Sequence, residues 1–179
     1  MGYELARAAV KKGHNVTLIT APVNLRAAAG VDVVNAGSAY DMFEAVKGRF
    51  GRCDCLVMAA AVSDYTPIRV MRKKMKKGSV PVTLKLKPTP DILKWAASHK
   101  RQNQVVVGFA LEDRSIKTGA ERKLREKNLD MIVANTPAAI GSRQCEVWVK
   151  RAGGSWLRIP RASKRQAAGR LIRLIEQLV

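Results

Sequence analysis

The chain has 179 residues, of which 47% are hydrophobic, 5% aromatic and 26% charged, a length and balance that fit one domain with a mostly aliphatic core. Lys and Arg number 33 against 14 Asp and Glu, so the formal net charge is +19 and the surface favours anions such as nucleotides, nucleic acid or an anionic membrane. No apolar run reaches the roughly 18–20 residues of a spanning helix, and residues 1–12 do not read as a signal peptide. We therefore expect a cytoplasmic protein that does not enter the membrane.

Several kinds of enzyme lack their motifs here. Cys53, Cys55 and Cys145 are too few for a disulfide framework and are best explained as reduced thiols. His14 and His99 complete no zinc-site spacing with them. Neither the Gly-x-Ser-x-Gly turn of serine hydrolases nor the Gly-x-Gly-x-x-Gly of dinucleotide-binding oxidoreductases occurs, so neither class is supported.

The hydrophobic pattern predicts alternating helices and strands along one domain, residues 1–179. In chain order these are a helix over 2–12, buried strands over 15–20 and 31–35, a helix over 39–47, a buried strand over 54–61, an irregular basic stretch over 63–78, a strand over 80–87, a helix over 91–98, a buried strand over 104–110, a helix over 115–128, a strand over 129–134, a hairpin of strands 145–150 and 155–160, and a helix over 161–179.

Alternation of this kind is typical of an α/β fold. We expect a Rossmann-like, three-layer domain with a mostly parallel sheet, ending in a β-hairpin and a helix. Because the chain opens on a helix, the first strand and the Gly-rich, phosphate-binding turn of such a fold would lie upstream of residue 1. Ligands of these sheets bind beyond the carboxyl ends of the strands, so the residues that follow each strand are the first candidates.

Two candidate sites follow the strand over 54–61. Small residues at 59–61 would let a ligand approach the backbone, and Asp64 could hold a ribose hydroxyl or a magnesium ion. A tight packing site with a capping aspartate explains them equally well. Residues 69–77 hold six basic side chains and no acid, and such a loop could close over a triphosphate or simply be a solvated surface loop.

Two further candidates lie on helices. Residues 85–93 run from a strand into a helix whose first turn offers free N–H groups to a base or phosphate, although simple helix initiation explains them too. Lys123 and Lys127 stand one helical turn apart and could clamp a polyphosphate, whereas isolated helix lysines are usually just solvated.

Taken in order, these segments resemble phosphopantothenoylcysteine synthetase, the second half of the bifunctional coenzyme A biosynthesis flavoprotein of bacteria. The segments that carry the resemblance are 1–3, 59–65, 74–77, 90–93, 108–110 with Glu112, 123–130 and 133–135. Each motif is weak alone, but the whole series in this order is specific, and it spans residues 1 to about 160.

The resemblance implies a homodimeric, Rossmann-like ligase that joins 4'-phosphopantothenate to cysteine, with CTP as co-substrate and Mg²⁺. In such an enzyme the substrate carboxylate attacks the α-phosphate, pyrophosphate leaves, and the cysteine amine then displaces the nucleoside monophosphate from the acyl group. This chemistry needs cations around a triphosphate and little covalent help from protein, which fits the basic residues found. A phosphopantothenoylcysteine decarboxylase half or chain is an implied partner.

The resemblance also implies roles for individual residues. Asp64 is the polar anchor near ribose, phosphate or metal, Lys74 the catalytic lysine of a flap, and Ala61 a neighbour of the phosphopantothenoyl group. The remaining implied nucleotide contacts are Met58, Ala59, Ala60, Pro90, Asp91, Ile92, Leu93, Phe109, Lys123 and Lys127.

The chain departs from the family pattern in two ways. The family's Gly-rich loop, and an Asn-x-Ser-Ser-Gly-Lys segment whose asparagine stabilises the acyl-nucleotide, would precede residue 1, so we expect weak nucleotide binding and poor turnover. The site also accounts for only part of the +19 charge. The alternative hypothesis is therefore a non-catalytic Rossmann-like protein that binds nucleic acid or another polyanion, although the motif series favours the ligase family.

Overall fold

The computed structural model describes residues 1–69, 71, 73–79, 81–113 and 115–179. Its elements are α1 (Gly2–Lys11), β1 (Val16–Thr20), β2 (Val31–Asn35), α2 (Ala39–Phe50), β3 (Cys55–Met58), β4 (Tyr65–Pro67), β5 (Leu86–Pro88), α3 (Ile92–His99), β6 (Val105–Leu111), α4 (Ile116–Glu126), β7 (Met131–Asn135), a 3-10 turn (Pro137–Ala139), β8 (Gln144–Arg151), β9 (Trp156–Ser163) and α5 (Lys164–Ile175). The predicted alternation of helices and strands is thereby confirmed.

The main sheet has five strands in the order β3-β6-β7-β8-β9. Strands β3, β6 and β7 run parallel, whereas β8 is antiparallel to both β7 and β9. The prediction of a mostly parallel sheet is therefore wrong, because this sheet is mixed. The connection from β7 to β8 holds only a 3-10 turn, and a parallel neighbour would need a crossover of a dozen or more residues.

A second, separate sheet is formed by β1 and β2, which pair in parallel from Val16 opposite Val31 to Thr20 opposite Asn35. No backbone hydrogen bond joins β1 to β3 within the described residues. The prediction that 15–20 and 31–35 are buried strands is correct in position but wrong in burial. Most of β1 is half-buried and Thr17 is exposed, because neither outer edge of this small sheet pairs with another strand among the described residues.

Helices cover both faces of the main sheet. Residues of α1 and α5, including Leu5 and Leu171, share an apolar cluster with Val107 and Met131. On the other face, residues of α3 and α4 pack with Val106 and Ile132, and α2 packs beside them. The three layers bury an aliphatic core, as the scarcity of aromatic residues predicts.

Gly108 shows how closely α3 approaches the sheet. A Cβ at this position of β6 would lie 2.7 Å from Leu129 Cδ1 and 2.9 Å from Leu93 Cδ2, distances that real Cβ contacts do not show. Any larger residue at this position would require one or both leucine side chains to shift, so glycine allows the two leucines to pack directly over the strand.

The segment between β3 and α3 differs most from the prediction. The irregular stretch over 63–78 contains strand β4, and the predicted strand over 80–87 is reduced to β5, which pairs antiparallel with β4. Val80 and Arg72 lie outside the described residues, as do Val70 and Arg114. The alternating apolar residues of 81–85 remain exposed because no second layer covers them.

None of the helices in the described part of the chain is both long and apolar enough to cross a membrane.

Candidate functional site

The loop that follows β3 lies against the start of α1. A Cβ at Gly2 would lie 4.0 Å from Ala59 Cβ, whereas Ala60 and Ala61 are exposed. Small side chains therefore leave the backbone open at the carboxyl end of β3, beside the first turn of a helix. A flat or charged ligand group could reach that backbone without displacing a large side chain.

Two hydrogen bonds tie this loop to the segment that leads into α3. Thr89 N–H donates to Asp64 O at 2.9 Å, and the Thr89 hydroxyl donates to Ser63 O at 2.5 Å. The Asp64 side chain itself is exposed. The loop and the start of α3 thus form one continuous edge, with a carboxylate at its rim.

The start of α3 is capped by its own aspartate. Asp91 Oδ1 accepts a hydrogen bond from Lys94 N–H at 3.0 Å, while the side chains of Ile92 and Leu93 are buried in the core. A ligand at this edge can therefore meet only the backbone of those two residues, whose N–H groups are free as in any first helical turn. Pro90, just before the cap, is half-buried.

Lys127 reaches from α4 to the same cap. Its Nζ lies 2.9 Å from Asp91 Oδ2 and 3.1 Å from Asp91 Oδ1. Partial burial alone would raise the pKa of Asp91, but the hydrogen bond from Lys94 N–H and the ammonium of Lys127 outweigh it and lower that pKa below its usual value. The carboxylate is charged at neutral pH and holds the lysine in place.

Lys123 makes a second ion pair one turn earlier on α4, with its Nζ 2.8 Å from Glu112 Oε1. Side chains on a helix tilt toward its N-terminus, so Lys123 reaches back toward the end of β6, where Glu112 lies. The structure therefore pairs the predicted residues Asp91 and Lys127 with each other and adds Glu112 as the partner of Lys123.

Glu112 is held in a narrow space between β6 and α4. Its side chain is only 19% exposed, and a Cβ on Gly119 would lie 2.6 Å from Glu112 Oε2. Ser115, the residue before α4, has φ 50° and makes no side-chain capping bond, so the Glu112 carboxylate supplies negative charge next to the first turn instead. A glycine within an otherwise regular helix was the sequence signal for this close approach.

Phe109 and the two lysines lie on opposite faces of the sheet. Phe109 belongs to the apolar cluster of α1 and α5, whereas α4 packs on the other face. Met58, at the end of β3, packs with the clusters of α2 and α3. A ligand that touches both Phe109 and Lys123 must therefore lie across the sheet edge, over the carboxyl ends of β3 and β6.

Lys74 lies in the exposed stretch 73–79 and makes no hydrogen bond or ion pair with the described residues. The described residues also hold no cluster of three or more His, Cys, Asp or Glu side chains that suits a metal ion. Burial raises the pKa of Cys55 to about 12, so this thiol is no nucleophile at neutral pH.

In comparison with known proteins, one family model matches the whole length of the chain. The profile of the DNA/pantothenate metabolism flavoprotein C-terminal domain matches residues 1–179. The coenzyme A biosynthesis bifunctional protein CoaBC of Bacillus subtilis (strain 168) is 46% identical over 143 residues, which are 79% of this chain and 35% of that protein. A cysteine/cysteine sulfinic acid decarboxylase from an unknown prokaryotic organism is 44% identical over 137 residues, 76% of this chain and 38% of that protein. The chain thus spans little more than a third of these relatives.

Solved structures show the same fold. The C-terminal domain of a coenzyme A biosynthesis bifunctional protein CoaBC superposes with a TM-score of 0.84 at 32% identity, over 99% of this chain and 81% of that chain. A Cab2 mutant in complex with phosphopantothenate-cysteine matches with a TM-score of 0.65 at 19% identity, over 83% of this chain and 54% of that chain, and this likeness extends to the fold alone.

Proposed function

The chain belongs to the family of DNA/pantothenate metabolism flavoprotein C-terminal domains, and we propose that it is the nucleotide-binding domain of a ligase that joins 4'-phosphopantothenate to cysteine. CTP is the proposed activating nucleotide. The observation that carries the proposal is a pair of lysines, Lys123 in α4 and Lys127 directly after it, each ion-paired with a carboxylate. Relatives named for coenzyme A biosynthesis support the choice of substrates.

The proposed reaction has two steps. A carboxylate oxygen of phosphopantothenate attacks the α-phosphorus of CTP, the bond to the β-phosphate oxygen breaks, and pyrophosphate leaves with its electron pair. The cysteine amine then attacks the acyl carbon, loses a proton, and expels cytidine monophosphate, so that an amide forms. Both steps need stabilisation of negative charge on phosphate oxygens more than covalent participation by protein groups.

In this proposal Lys123 and Lys127 exchange one anionic partner for another. In the free protein their ammonium groups lie 2.8 and 2.9 Å from Glu112 and Asp91. A triphosphate carries more negative charge than either carboxylate, so it can draw both lysines from these pairs. The two carboxylates thereby hold both ammonium groups in fixed positions before the nucleotide arrives.

The neighbouring groups have separate roles. The N–H groups of Ile92 and Leu93 face the cytosine base or a phosphate, since their side chains are buried. Phe109 borders the nucleoside, while Met58, Ala59 and Ala60 meet it through the open end of β3. Pro90 shapes the turn that places the α3 cap. Ala61 adjoins the phosphopantothenoyl group.

Asp64 is the proposed protein ligand of Mg²⁺. Its carboxylate is exposed at the rim of the site, and Mg²⁺ in nucleotide sites commonly takes one or two carboxylates together with phosphate oxygens and water. The donor chemistry therefore fits, and the ion would supply further positive charge to the phosphates. Lys74, on the exposed stretch 73–79, must move over the phosphates to act as the catalytic lysine.

We also propose a homodimer and an association with a decarboxylase half or chain, as the resemblance implies. Exposed apolar side chains around the small β4–β5 sheet support self-association. They include Tyr65, Ile68, Leu84 and Leu86, each more than half exposed. A monomer rarely leaves that much apolar surface in one place.

Calorimetric titration with CTP and Mg²⁺ tests the nucleotide site. We expect Lys123→Ala and Lys127→Ala each to weaken CTP binding about 10- to 100-fold, the range for losing one charge-assisted hydrogen bond. Arg122→Ala is the matched control, because it removes one positive charge from the same helix at a side chain that is 67% exposed. It should change the dissociation constant less than about twofold.

Two results would contradict the proposal. One is equal weakening by Arg122→Ala and the lysine variants, which would mean that overall charge decides binding. The other is binding that does not distinguish CTP from a random single-stranded oligonucleotide and is lost between low and moderate salt, the behaviour of a polyanion-binding surface. Labelling of Cys55 that stays as slow in every variant as in the parent would show that their fold is retained.

A further inference from the structure

Helices α1 and α5 pack side by side on one face of the main sheet, and a groove lies between them. Two small residues line this groove, Ala8 of α1 and Gly169 of α5. A Cβ built on Gly169 would meet no heavy atom within 4 Å. The groove between α1 and α5 therefore has open space that a ligand side chain could fill without moving the protein.

Basic side chains line both sides of the groove in two rows. Arg7 and Lys11 lie four residues apart on α1. Arg165 and Arg173 lie eight residues apart on α5. Residues at these separations are about 6 Å and about 12 Å apart along a helix axis. The two basic rows therefore present positive charges at intervals of whole helical turns.

Most of the cations in the two basic rows have no anionic partner. Lys11, Arg165 and Arg173 are exposed, and within the described part of the chain they form no ion pair and no side-chain hydrogen bond. Like charges lined up along one groove repel each other, and an anion between them relieves that repulsion. The groove therefore favours a ligand that carries several negative charges.

A carboxylate marks the end of the groove near the start of α1. Glu4 lines this end, and its Oε2 atom is buried without a hydrogen-bond partner among the described residues. Arg7 Nε lies 3.7 Å from that oxygen, beyond hydrogen-bonding distance. At the other end, Lys12 Nζ pairs with Glu176 Oε2 at 2.7 Å. The end at Glu4 can therefore accept a hydrogen bond from a ligand, while the rest of the groove attracts anions.

The charge and lining of the groove narrow the class of partner. A second copy of this chain carries the same net charge of +19 and would add repulsion. Nucleic acid would bring phosphates close to the carboxylate of Glu4, and none of the described residues that line the groove is aromatic and able to stack on bases. A protein segment can combine carboxylates, apolar side chains and hydrogen-bond donors, so it fits this groove best.

We propose that the groove between α1 and α5 binds an acidic amphipathic helix of a partner protein. Carboxylates four and eight residues apart on the bound helix match the spacing of the cations in the two basic rows. An apolar side chain of that helix fills the space at Gly169, and a lysine near one of its ends pairs with Glu4. This proposal does not rest on the proposed ligase activity.

Fluorescence anisotropy with a labelled synthetic helix tests the groove. The probe is an alanine-rich peptide of about 18 residues, long enough to be partly helical alone. It carries one leucine stripe, glutamates four residues apart on both sides of that stripe, and a lysine near one end. A control peptide has the same composition in an order that breaks the stripe. We expect the parent protein to bind the probe at least about tenfold more tightly than the control peptide.

Filling the groove without a change of charge is the sharpest variant. Gly169→Leu places a side chain in the open space and should weaken probe binding at least about tenfold. Gly48→Leu is the matched control, because Gly48 also has open space around it but lies in α2 and does not line the groove. It should change the dissociation constant less than about twofold. Both variants should keep the thermal stability of the parent, since leucine is a better helix former than glycine.

Loss of charge in the groove should weaken binding more than loss of the same charge elsewhere. The double variant Arg165→Gln/Arg173→Gln should weaken probe binding about 3- to 30-fold, the range for two solvent-exposed ion pairs. Arg122→Gln/Arg170→Gln removes the same charge at exposed positions outside the groove and should weaken it less than about twofold. Glu4→Gln should abolish the preference for the lysine-bearing probe over one with glutamine at that position.

Three results would overturn the proposal. The first is unchanged probe binding by a folded Gly169→Leu variant. The second is equal weakening by the two double variants, which would mean that overall charge decides binding. The third is displacement of the probe by a single-stranded oligonucleotide or an anionic vesicle of equal total charge as readily as by the unlabelled probe, which would make this face a general polyanion surface. CTP binding is tested by separate variants, so neither proposal fails with the other.

Discussion

The five-stranded main sheet and the two-stranded sheet of β1 and β2 both contain apolar strands, but these strands have different surroundings. The centre of the main sheet is fully enclosed, since Val106, Val107 and Met131 are 0% exposed. In the sheet of β1 and β2, Val33 of β2 is 41% exposed. The difference comes from neighbours, because each central strand has a paired strand on both sides and β1 and β2 have one partner only. Burial, and with it stability, is a property of the assembled layers more than of the strand sequence.

The largest expected effect of this difference is in the free energy of unfolding. Met131→Ala should lower it by about 2–5 kcal/mol, the usual loss for a fully buried large side chain, because it opens a cavity between layers. Val33→Ala should lower it by less than about 0.5 kcal/mol, as at a surface position. Urea denaturation of both variants checks the difference, and equal losses would mean that the two sheets are equally well packed.

A smaller effect is expected where packing leaves no room for a methyl group. Gly108→Ala should lower the free energy of unfolding by about 1–3 kcal/mol, because the new Cβ meets Leu93 and Leu129 at less than 3.0 Å. Gly48→Ala is the matched control, since Gly48 lies on the exposed side of α2 with open space around it. Its stability should be unchanged or slightly increased, by up to about 1 kcal/mol. Thermal unfolding of the two variants checks this, and a neutral Gly108→Ala would contradict the close contact of α3 with β6.

The smallest effect concerns the ion pair between α3 and α4. Asp91→Asn keeps a capping side chain but removes the carboxylate that Lys127 pairs with, so the loss at neutral pH should be below about 1 kcal/mol for this exposed group. The pKa of Asp91 is lowered in the folded state, so its charge stabilises the fold above the unfolded value near 3.8 and this contribution is lost as pH falls through the folded value.

The measurement for that ion pair is the difference in unfolding free energy between the parent and Asp91→Asn across pH 2 to 7. We expect the difference to be constant above about pH 5 and to shrink as the pH falls below about 4. A difference that grows on acidification would have the wrong sign for a lowered pKa. The effect is largely electrostatic, so it should also weaken in salt.

Most element positions could be predicted from sequence because they depend on local periodicity. Strand β2 was predicted with its observed bounds, and α1 within one residue. The antiparallel pairing of β8 with β9 was predicted from the hairpin and is confirmed. The direction in which β8 pairs with β7 could not be predicted, because the pattern of a strand is the same whichever way its neighbour runs. The exposure of β1 could not be predicted either, because it depends on a neighbouring strand and not on residues 16–20.

The site shows the same division. Lys123 and Lys127 were predicted as a pair from their spacing, whereas their ion pairs with Glu112 and Asp91 join three separate elements and could be seen only in the fold. The close approach of Glu112 to α4 could have been predicted from Gly119, because a glycine inside a regular helix often marks the place where another group packs closely against the helix. The roles of Lys74, Asp64 and Phe109 stay predictions.

The raised pKa of Cys55 has a consequence for the chemical lifetime of the protein. At pH 7, a thiol with a pKa of about 12 is ionised in about one molecule in 100,000, and the thiolate is the form that oxidants and alkylating agents attack. The folded chain therefore carries, at the start of β3, a half-buried cysteine that reacts slowly with oxidants. Rapid labelling of Cys55 would require local opening of the structure around β3. The labelling rate of this thiol therefore measures how often the domain opens there.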